Sequence, residues 1–184
     1  MGKLRAFIAV EISDELKEKV RDIQLEFRGF GLRFVNPAIA HLTLKFLGDV
    51  PEGKIKEIGK AMETVECEPF EAELKGVGVF PNLNRIRVIW VGAHGNFNGL
   101  HDSVESKLTP LGFARDGKEF KSHITVARAK DISKNETREI ADKVRDLSKM
   151  DIGSMMVERI KLKKSTLTSN GPIYEDLHVK ELGG

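Results

Sequence analysis

Two short segments of this sequence place an imidazole and a hydroxyl two residues apart. The segments are HLTL at 41–44 and HITV at 123–126, 82 residues apart. Residues two apart in a β-strand project from the same face, so each segment would present its histidine and threonine together over a pair of buried apolar residues. One segment alone is equally explained by a structural histidine bonded to backbone. Two matching segments instead predict one site built from both.

Two histidines suit a reaction in which one proton is removed while another is delivered. Imidazole is the side chain that ordinarily titrates near neutrality, so one copy can be neutral while the other is charged. Opening a cyclic phosphate needs both, because the attacking water loses a proton and the departing ribose oxygen gains one. The hydroxyls of Thr43 and Thr125 can donate hydrogen bonds to phosphate oxygens as charge builds there. We predict His41 and His123 as this acid–base pair, with the individual roles left open by the residues themselves.

The elements that must position the motifs recur in two halves of similar order. Each half has an apolar strand, a helix and a strand that begins with the motif, which is the pattern of an internal repeat. The predicted strands cover 4–12, 32–35, 41–48, 70–80, 85–92, 122–129 and a terminal hairpin turning at 170–171; the predicted helices begin after Ser13, at Pro51, near Phe97 and after Ser133. About seven or eight strands and four helices indicate an α+β protein of two lobes packed as one domain, 1–184.

Composition limits the classes of function. The chain has 184 residues, 40% of them hydrophobic, and a net charge of only +2, which permits a short nucleic-acid end but not extensive coating of a duplex. Cys67 is the single cysteine, which excludes an internal disulfide. No apolar run is long enough to span a membrane or to act as a signal peptide, so we expect a cytoplasmic protein. The excess of Lys and Glu is typical of heat-adapted proteins.

Three segments carry a resemblance to a known family. HLTLKFLGDV, SHITVAR and GPIYEDL resemble the two-histidine phosphoesterases, specifically the RNA 2′,3′-cyclic phosphodiesterases, also called 2′-5′ RNA ligases. The resemblance spans essentially the whole chain. It implies a bilobal α+β fold with a pseudo-twofold axis, in which two antiparallel sheets face a central cleft and about four helices pack outside. It also implies hydrolysis of a terminal 2′,3′-cyclic phosphate to a 2′-phosphomonoester without metal or cofactor, with ligation as the reverse type of reaction.

The resemblance assigns roles to individual positions. His41 would be the proton donor to the leaving 3′ oxygen, and His123 the acceptor that activates water. Thr43 and Thr125 would hold the phosphate, helped by Arg128, five residues after the second histidine. Strict alternation along a strand points Arg128 away from the face of His123, so this role requires a bulge or a strand end.

Several further side chains are weaker candidates for contact with RNA. Lys45 shares the parity of His41 and could bring positive charge to the cleft, although a solvated lysine fits equally well. Aromatic residues that could stack on a base, or simply fill the core, are Phe46, Phe80, Phe120 and Tyr174. Neither motif has another metal-ligating residue at a typical spacing, so no metal site is predicted there.

Two other functions fit the same residues. The first is a module that binds RNA ends without catalysis. The second keeps the enzyme but changes the substrate to a small cyclic nucleotide or a 2′-5′-linked oligonucleotide. We expect a monomer whose partner is RNA with a 2′,3′-cyclic phosphate end, with no membrane association.

Overall fold

The computed structural model describes residues 2–184, which form nine strands and four α-helices. The strands are β1 (Lys3–Glu11), β2 (Leu32–Phe34), β3 (His41–Pro51), β4 (Phe70–Asn82), β5 (Arg85–His94), β6 (His123–Ala129), β7 (Asp151–Val157), β8 (Arg159–Thr168) and β9 (Gly171–Glu181). The helices are α1 (Asp14–Glu26), α2 (Ile55–Glu63), α3 (Phe97–Leu108) and α4 (Lys134–Leu147). No helix in this part of the chain is both long and apolar enough to cross a bilayer.

All strands belong to one antiparallel, strongly curled sheet in the order β7-β4-β5-β6-β3-β1-β8-β9, with β2 also paired to β6. We call β1, β3, β8 and β9 the His41 lobe, and β2 with β4 to β7 the His123 lobe. The α+β class is confirmed, but the two predicted sheets are joined. The joint is narrow, because β3 and β6 share a single bridging pair, Leu42 with Ile124.

The chain order β1-α1-β3-α2 is repeated by β5-α3-β6-α4, as a pseudo-twofold relation requires. The helices cross between lobes: α1 packs on β6 and β7, whereas α3 packs on β3. The C-terminal hairpin β8–β9 returns to pair with β1. The lobes therefore do not coincide with the two halves of the sequence, and neither half could bury its apolar surface alone.

Local sequence explains where the helices begin. The Ser13 hydroxyl accepts from the backbone N–H of Leu16 at 3.4 Å, and Ser133 forms a reciprocal capping box with Glu136. Both predicted caps are confirmed. The helix predicted at Pro51 instead begins at Ile55, after a short 3₁₀ turn.

Sequence patterning does not predict strand β7. Its sequence, DIGSMMV, mixes polar and small residues with apolar ones, and only its first and last apolar residues, Ile152 and Val157, are buried. The strand exists because β4 offers a free edge, along which Phe70 to Lys75 pair with β7. Such pairing is a tertiary effect that local periodicity does not record.

Each motif strand contains a β-bulge directly after its threonine. In β3, Thr43 pairs with Ala9 and Lys45 with Ile8, so Leu44 is the extra residue. In β6, Val126 is the corresponding extra residue. A bulge inserts one residue and reverses the alternation beyond it. The same irregularity thus occurs in both lobes and redirects the side chains that follow it, as far as Leu47 in β3, where a second bulge restores the alternation.

Candidate active site

The two motif faces meet at the seam between the lobes. Leu42 and Ile124 are buried at 1% exposure on the helix-covered side of the sheet. The motif histidines and threonines are half-buried on the opposite side, which we call the cleft face. Extending the register of that one bridging pair by a residue in each direction sets each histidine opposite the other motif's threonine. Diagonal neighbours in an antiparallel pair lie roughly 7–8 Å apart. The charge of His123 also contributes to the lowered pKa of His41, so the two imidazoles lie near each other on one face.

Backbone carbonyls fix both imidazoles in the same tautomer. His41 Nδ1 lies 2.9 Å from the carbonyl oxygen of Ile39, and His123 Nδ1 lies 2.6 Å from that of Lys121. A carbonyl oxygen can only accept, so Nδ1 carries the hydrogen and Nε2 carries the reactive lone pair. His41 Nε2 is also 3.1 Å from Thr43 Oγ1. Both rings therefore direct the same atom towards chemistry.

Burial favours the neutral form of both histidines. Desolvation lowers the pKa of His41, the carbonyl of Ile39 acts in the opposite direction, and nearby Lys163 lowers it further. Desolvation also lowers the pKa of His123, against the carbonyl of Lys121 and with a further contribution from Arg128. The two rings thus have similar chemistry but different charged neighbours.

Arg128 lies on the same face as His123, because the bulge at Val126 reverses the alternation. It is exposed and pairs across the strand with Val88. Its charge reaches both lobes: it adds to the desolvation that lowers the pKa of His123, and it opposes the burial that raises the pKa of Tyr174. The buried amide of Gln24 supports the bulge by donating to the Val126 carbonyl at 3.1 Å.

The prediction that Lys45 reaches the cleft is wrong. The bulge at Leu44 turns Lys45 to the helix side, where it is 2% exposed and lies 2.6 Å from Glu105 Oε1 on α3. It also donates to the carbonyl of Ala114 at 2.8 Å. Phe120 is likewise away from the cleft, stacked on His101 at 4.1 Å between ring centroids.

Different aromatic residues line the two lobes. In the His41 lobe, Tyr174 meets His41 edge-on at 5.3 Å between centroids, and Phe7 lies 5.0 Å from both rings. In the His123 lobe, Phe80 meets His123 edge-on at 4.9 Å and Trp90 lies 6.5 Å away. Sequence reasoning named Tyr174 and Phe80 but missed the other two, because apolar residues on both faces of β1 and β5 conceal which ones line the cleft.

A group of four charged side chains, also missed from the sequence, supports the His41 lobe. Lys163 pairs with Glu11 and with Asp176, the latter at 2.6 Å, and Lys161 bridges the same two carboxylates at 2.9 and 2.7 Å. These pairs hold the pKa of both carboxyl groups below its usual value, against desolvation. A cavity of about 390 Å³ opens beside the group, lined by Glu11, Lys17, Ala38, Ile39, Ala40, Lys163, Tyr174 and Asp176.

One group of potential metal ligands occurs in residues 2–184, namely His101, Glu105 and Asp116. It lies on the helix side of the sheet with Lys45, whose ammonium is 2.6 Å from Glu105 and 4.0 Å from Asp116. The ammonium already supplies a positive charge between these carboxylates. The donor set therefore does not suit a metal ion, and it is remote from the face that carries the motif histidines.

Two imidazoles held in one tautomer share a face with two threonines and an arginine, which matches the site predicted for a two-histidine phosphoesterase. The model of the family described as LigT like phosphoesterase matches this chain twice, at residues 8–90 and 92–174. The protein belongs to this family. Each match contains one motif histidine, in agreement with the internal repeat.

Named relatives and solved structures extend the comparison. The chain is 43% identical to an RNA 2′,3′-cyclic phosphodiesterase of Archaeoglobus fulgidus, over 97% of this chain and 100% of the relative. It is 38% identical to one from Methanocaldococcus jannaschii, over 94% and 97%. A crystal structure of a Thermus thermophilus protein matches with a TM-score of 0.82 at 30% identity, covering 98% of this chain and 99% of that one. E. coli LigT complexed with 3′-AMP shares the fold, with a TM-score of 0.80, 22% identity and 99% coverage of both chains.

Proposed function

We propose that this protein hydrolyses the 2′,3′-cyclic phosphate at an RNA end to a 2′-phosphomonoester, with His41 as proton donor and His123 as proton acceptor. The observation that carries the proposal is the matched pair of imidazoles at the seam, each with Nδ1 bound to a carbonyl and Nε2 available. The names of the archaeal relatives support the choice of substrate.

The reaction makes one P–O bond and breaks another. Water attacks phosphorus and transfers a proton to Nε2 of His123, while the bond from phosphorus to the ribose 3′ oxygen breaks. Nε2–H of protonated His41 delivers its proton to that oxygen, which leaves as a hydroxyl. His41 ends neutral and His123 ends protonated, and exchange with solvent restores both. Ligation would be the same step with a 5′-hydroxyl in place of water: the 5′ oxygen attacks phosphorus, the bond to the 3′ oxygen breaks, and a 2′-5′ phosphodiester forms.

Charge on the phosphate is met by groups that this chain supplies. The hydroxyls of Thr43 and Thr125 lie beside the imidazoles, and the guanidinium of Arg128 lies on the same face. Donors fixed in advance at the position where charge develops are the usual source of electrostatic catalysis. We infer that these groups suffice for phosphate binding without a metal ion.

Phe46 is the best candidate to hold the terminal base. The bulge at Leu44 returns Phe46 to the cleft face, where it remains 65% exposed although Phe7 lies 6.2 Å away. An exposed aromatic ring beside a phosphate site is the usual platform for an unpaired base. A stacked base would position the ribose and its cyclic phosphate between the two histidines.

The test uses a short RNA of defined sequence that ends in a 2′,3′-cyclic phosphate, incubated with the protein in excess chelator. We expect conversion to the 2′-phosphate, identified by its resistance to enzymes that require a 3′-phosphate. An untouched cyclic end, a 3′-phosphate product, or activity abolished by the chelator would each contradict the proposal. Binding of the cyclic end without turnover would instead indicate the non-catalytic module.

A further inference from the structure

Strand β2 brings a second arginine next to Arg128. Arg33 of β2 and Arg128 of β6 are direct partners in the antiparallel register. Direct partners share a face of the sheet, with Cβ atoms roughly 4.5–5.5 Å apart. Both side chains are exposed, and Arg128 is on the face of His123. The cleft face therefore carries two arginines at adjacent register positions.

Nothing in the described chain neutralises this pair. Neither guanidinium makes an ion pair or a hydrogen bond with any group in residues 2–184. The row of side chains that continues across the sheet from Arg33 and Arg128 holds Val88 and then Phe80, both apolar. Glu136, which lies close to the start of β2, already accepts from the backbone N–H groups of Gly31 and Ser133.

Like charges placed directly opposite each other destabilise a sheet. The bulge at Val126 creates this arrangement, since without it Arg128 would point to the helix side. Gln24 holds that local structure by donating to the carbonyls of Val35 and Val126 at 2.7 and 3.1 Å. The fold thus maintains an uncompensated positive pair beside the active site, which is the signature of a site for an anion.

We propose that Arg33 binds a second phosphate, the phosphodiester that joins the terminal nucleotide to the rest of the RNA, while its neighbour Arg128 faces the reacting phosphate. Val88 and Trp90, the partners of Arg128 and Thr125, are two residues apart. At about 3.3 Å per residue, the arginine pair begins roughly 7 Å from the motif threonine. That offset places Arg128 next to the reacting phosphate, and Arg33, one strand further away, beside the second phosphate. Two guanidinium forks suit phosphate oxygens and carry no preference for the base.

This inference rests on the proposed function and states which ends the enzyme prefers. A mononucleoside 2′,3′-cyclic phosphate lacks the second phosphate and would leave Arg33 without a ligand. A dinucleotide with the same cyclic end supplies it. The enzyme would accordingly discriminate oligonucleotide ends from free cyclic mononucleotides by a backbone contact rather than by reading a base.

The experiment compares kcat/KM on three substrates with the same terminal base: the cyclic mononucleotide, that mononucleotide with a 5′-phosphate, and the dinucleotide. We expect the unaltered protein to favour the last two. R33Q should lower kcat/KM about tenfold or more on those two and leave the cyclic mononucleotide unchanged, because a charge-assisted contact is lost. R138Q, which removes an exposed arginine from the outer helix α4, should behave like the unaltered protein on all three.

Equal losses by R33Q on all three substrates would overturn the proposal, since Arg33 would then act at the reacting phosphate or on the fold. So would a preference that appears with the dinucleotide but not with the 5′-phosphate. Binding separates this proposal from the proposed function: mono- and dinucleotides ending in a 2′-phosphate are titrated in place of substrate. The dinucleotide should bind more tightly than the mononucleotide, and R33Q should remove that difference in affinity. This result would support the second phosphate site even if the protein turned over no cyclic end. Equal affinities would refute it.

Discussion

The His41 lobe and the His123 lobe use the same backbone but surround their histidines differently. Both have a strand with His-x-Thr, a bulge after the threonine and a carbonyl that fixes Nδ1. Across from His41 stands Glu11, part of the charged group with Lys163, whereas across from His123 stands Gly92. Aromatic rings lie against both histidines, so the charged group is what distinguishes the His41 lobe.

The shared backbone accounts for the matching positions of the two histidines, and the different neighbours would allow the two histidines to take different roles. A proton donor and a proton acceptor must differ in charge at the same moment, so two identical environments would serve neither well. Beyond the bulge, the fourth residue after the histidine is Lys45 in one lobe and Ala127 in the other. The fifth is Phe46 in one lobe and Arg128 in the other. Under the proposed function, Phe46 would offer a platform for a base in one lobe, and Arg128 would offer a positive charge for phosphate in the other.

Replacing either motif histidine tests whether both lobes take part in the chemistry. H41A and H123A should each lower kcat on a cyclic RNA end by roughly 10²–10⁴-fold, because each removes one proton transfer. H94A, at the exposed end of β5, should have no effect. Quenched time-course assays with separation of substrate and product would measure kcat for all three variants. A variant that kept more than about a tenth of the activity would show that only one lobe is catalytic.

The buried ion pair tests the difference at the fourth position. K45M leaves the Glu105 carboxylate, 2% exposed, without its ammonium partner, and should lower the free energy of unfolding by about 3–5 kcal/mol. Adding E105L should recover most of that loss, because an apolar pair needs no charge compensation. The exposed pair of Arg21 and Glu18 is the control, and R21M should cost less than about 1 kcal/mol. Denaturant titration gives the values; a K45M loss as small as that of R21M would contradict the burial of this pair.

The fifth position separates binding of a base from binding of phosphate. R128Q should reduce kcat/KM roughly 10- to 100-fold through loss of a charge-assisted contact. F46A should raise KM about tenfold, the worth of one stacked base, and change kcat little. M156A, at another exposed apolar side chain, is the control for F46A. Steady-state kinetics would decide, and a fall in kcat alone for F46A would exclude a stacking role.

The pH dependence should reflect the lowered pKa of both histidines. Activity needs one ring neutral and one protonated, so kcat/KM should follow a bell whose maximum lies between the two values. Since burial lowers the pKa of both rings, the maximum should lie below the ordinary imidazole value of about 6.5. A maximum above about pH 7.5 would show that the rings are not desolvated in the free enzyme.

The fluorescence of Trp90, the only tryptophan, offers an independent reading of one lobe. Its ring lies 6.5 Å from that of His123, and a protonated imidazole quenches a nearby indole. The pH at which quenching is half complete should report the titration of His123. It should move little in H41A, whereas H123A should abolish the pH-dependent quenching. A midpoint that persists in H123A would assign the quenching to another group.

Much of the fold was accessible from local sequence. The periodicity of α1, the caps at Ser13 and Ser133 and the hairpin turn at 170–171 act within a few residues, and the structure confirms them. The strand β7 and the joining of two sheets depend on free edges that meet only in three dimensions. Strict strand alternation gave wrong predictions beyond each bulge. It predicted that Lys45 points into the cleft and Arg128 away from it, and the structure shows the reverse for both.

Two copies of His-x-Thr in the sequence were enough to select the candidate reactive groups and the strand faces that present them. The sequence by itself also placed each motif on a strand, because threonine and the flanking apolar residues favour that geometry. Only the tertiary structure decided which neighbours surround each histidine. Those neighbours come from β1, β8, β9 and β2, far away along the chain, and the bulges that select them are held by contacts such as that of Gln24 with Val126. Spacing in a sequence records periodicity within one element, whereas the environment of a side chain is set by the elements that pack beside it.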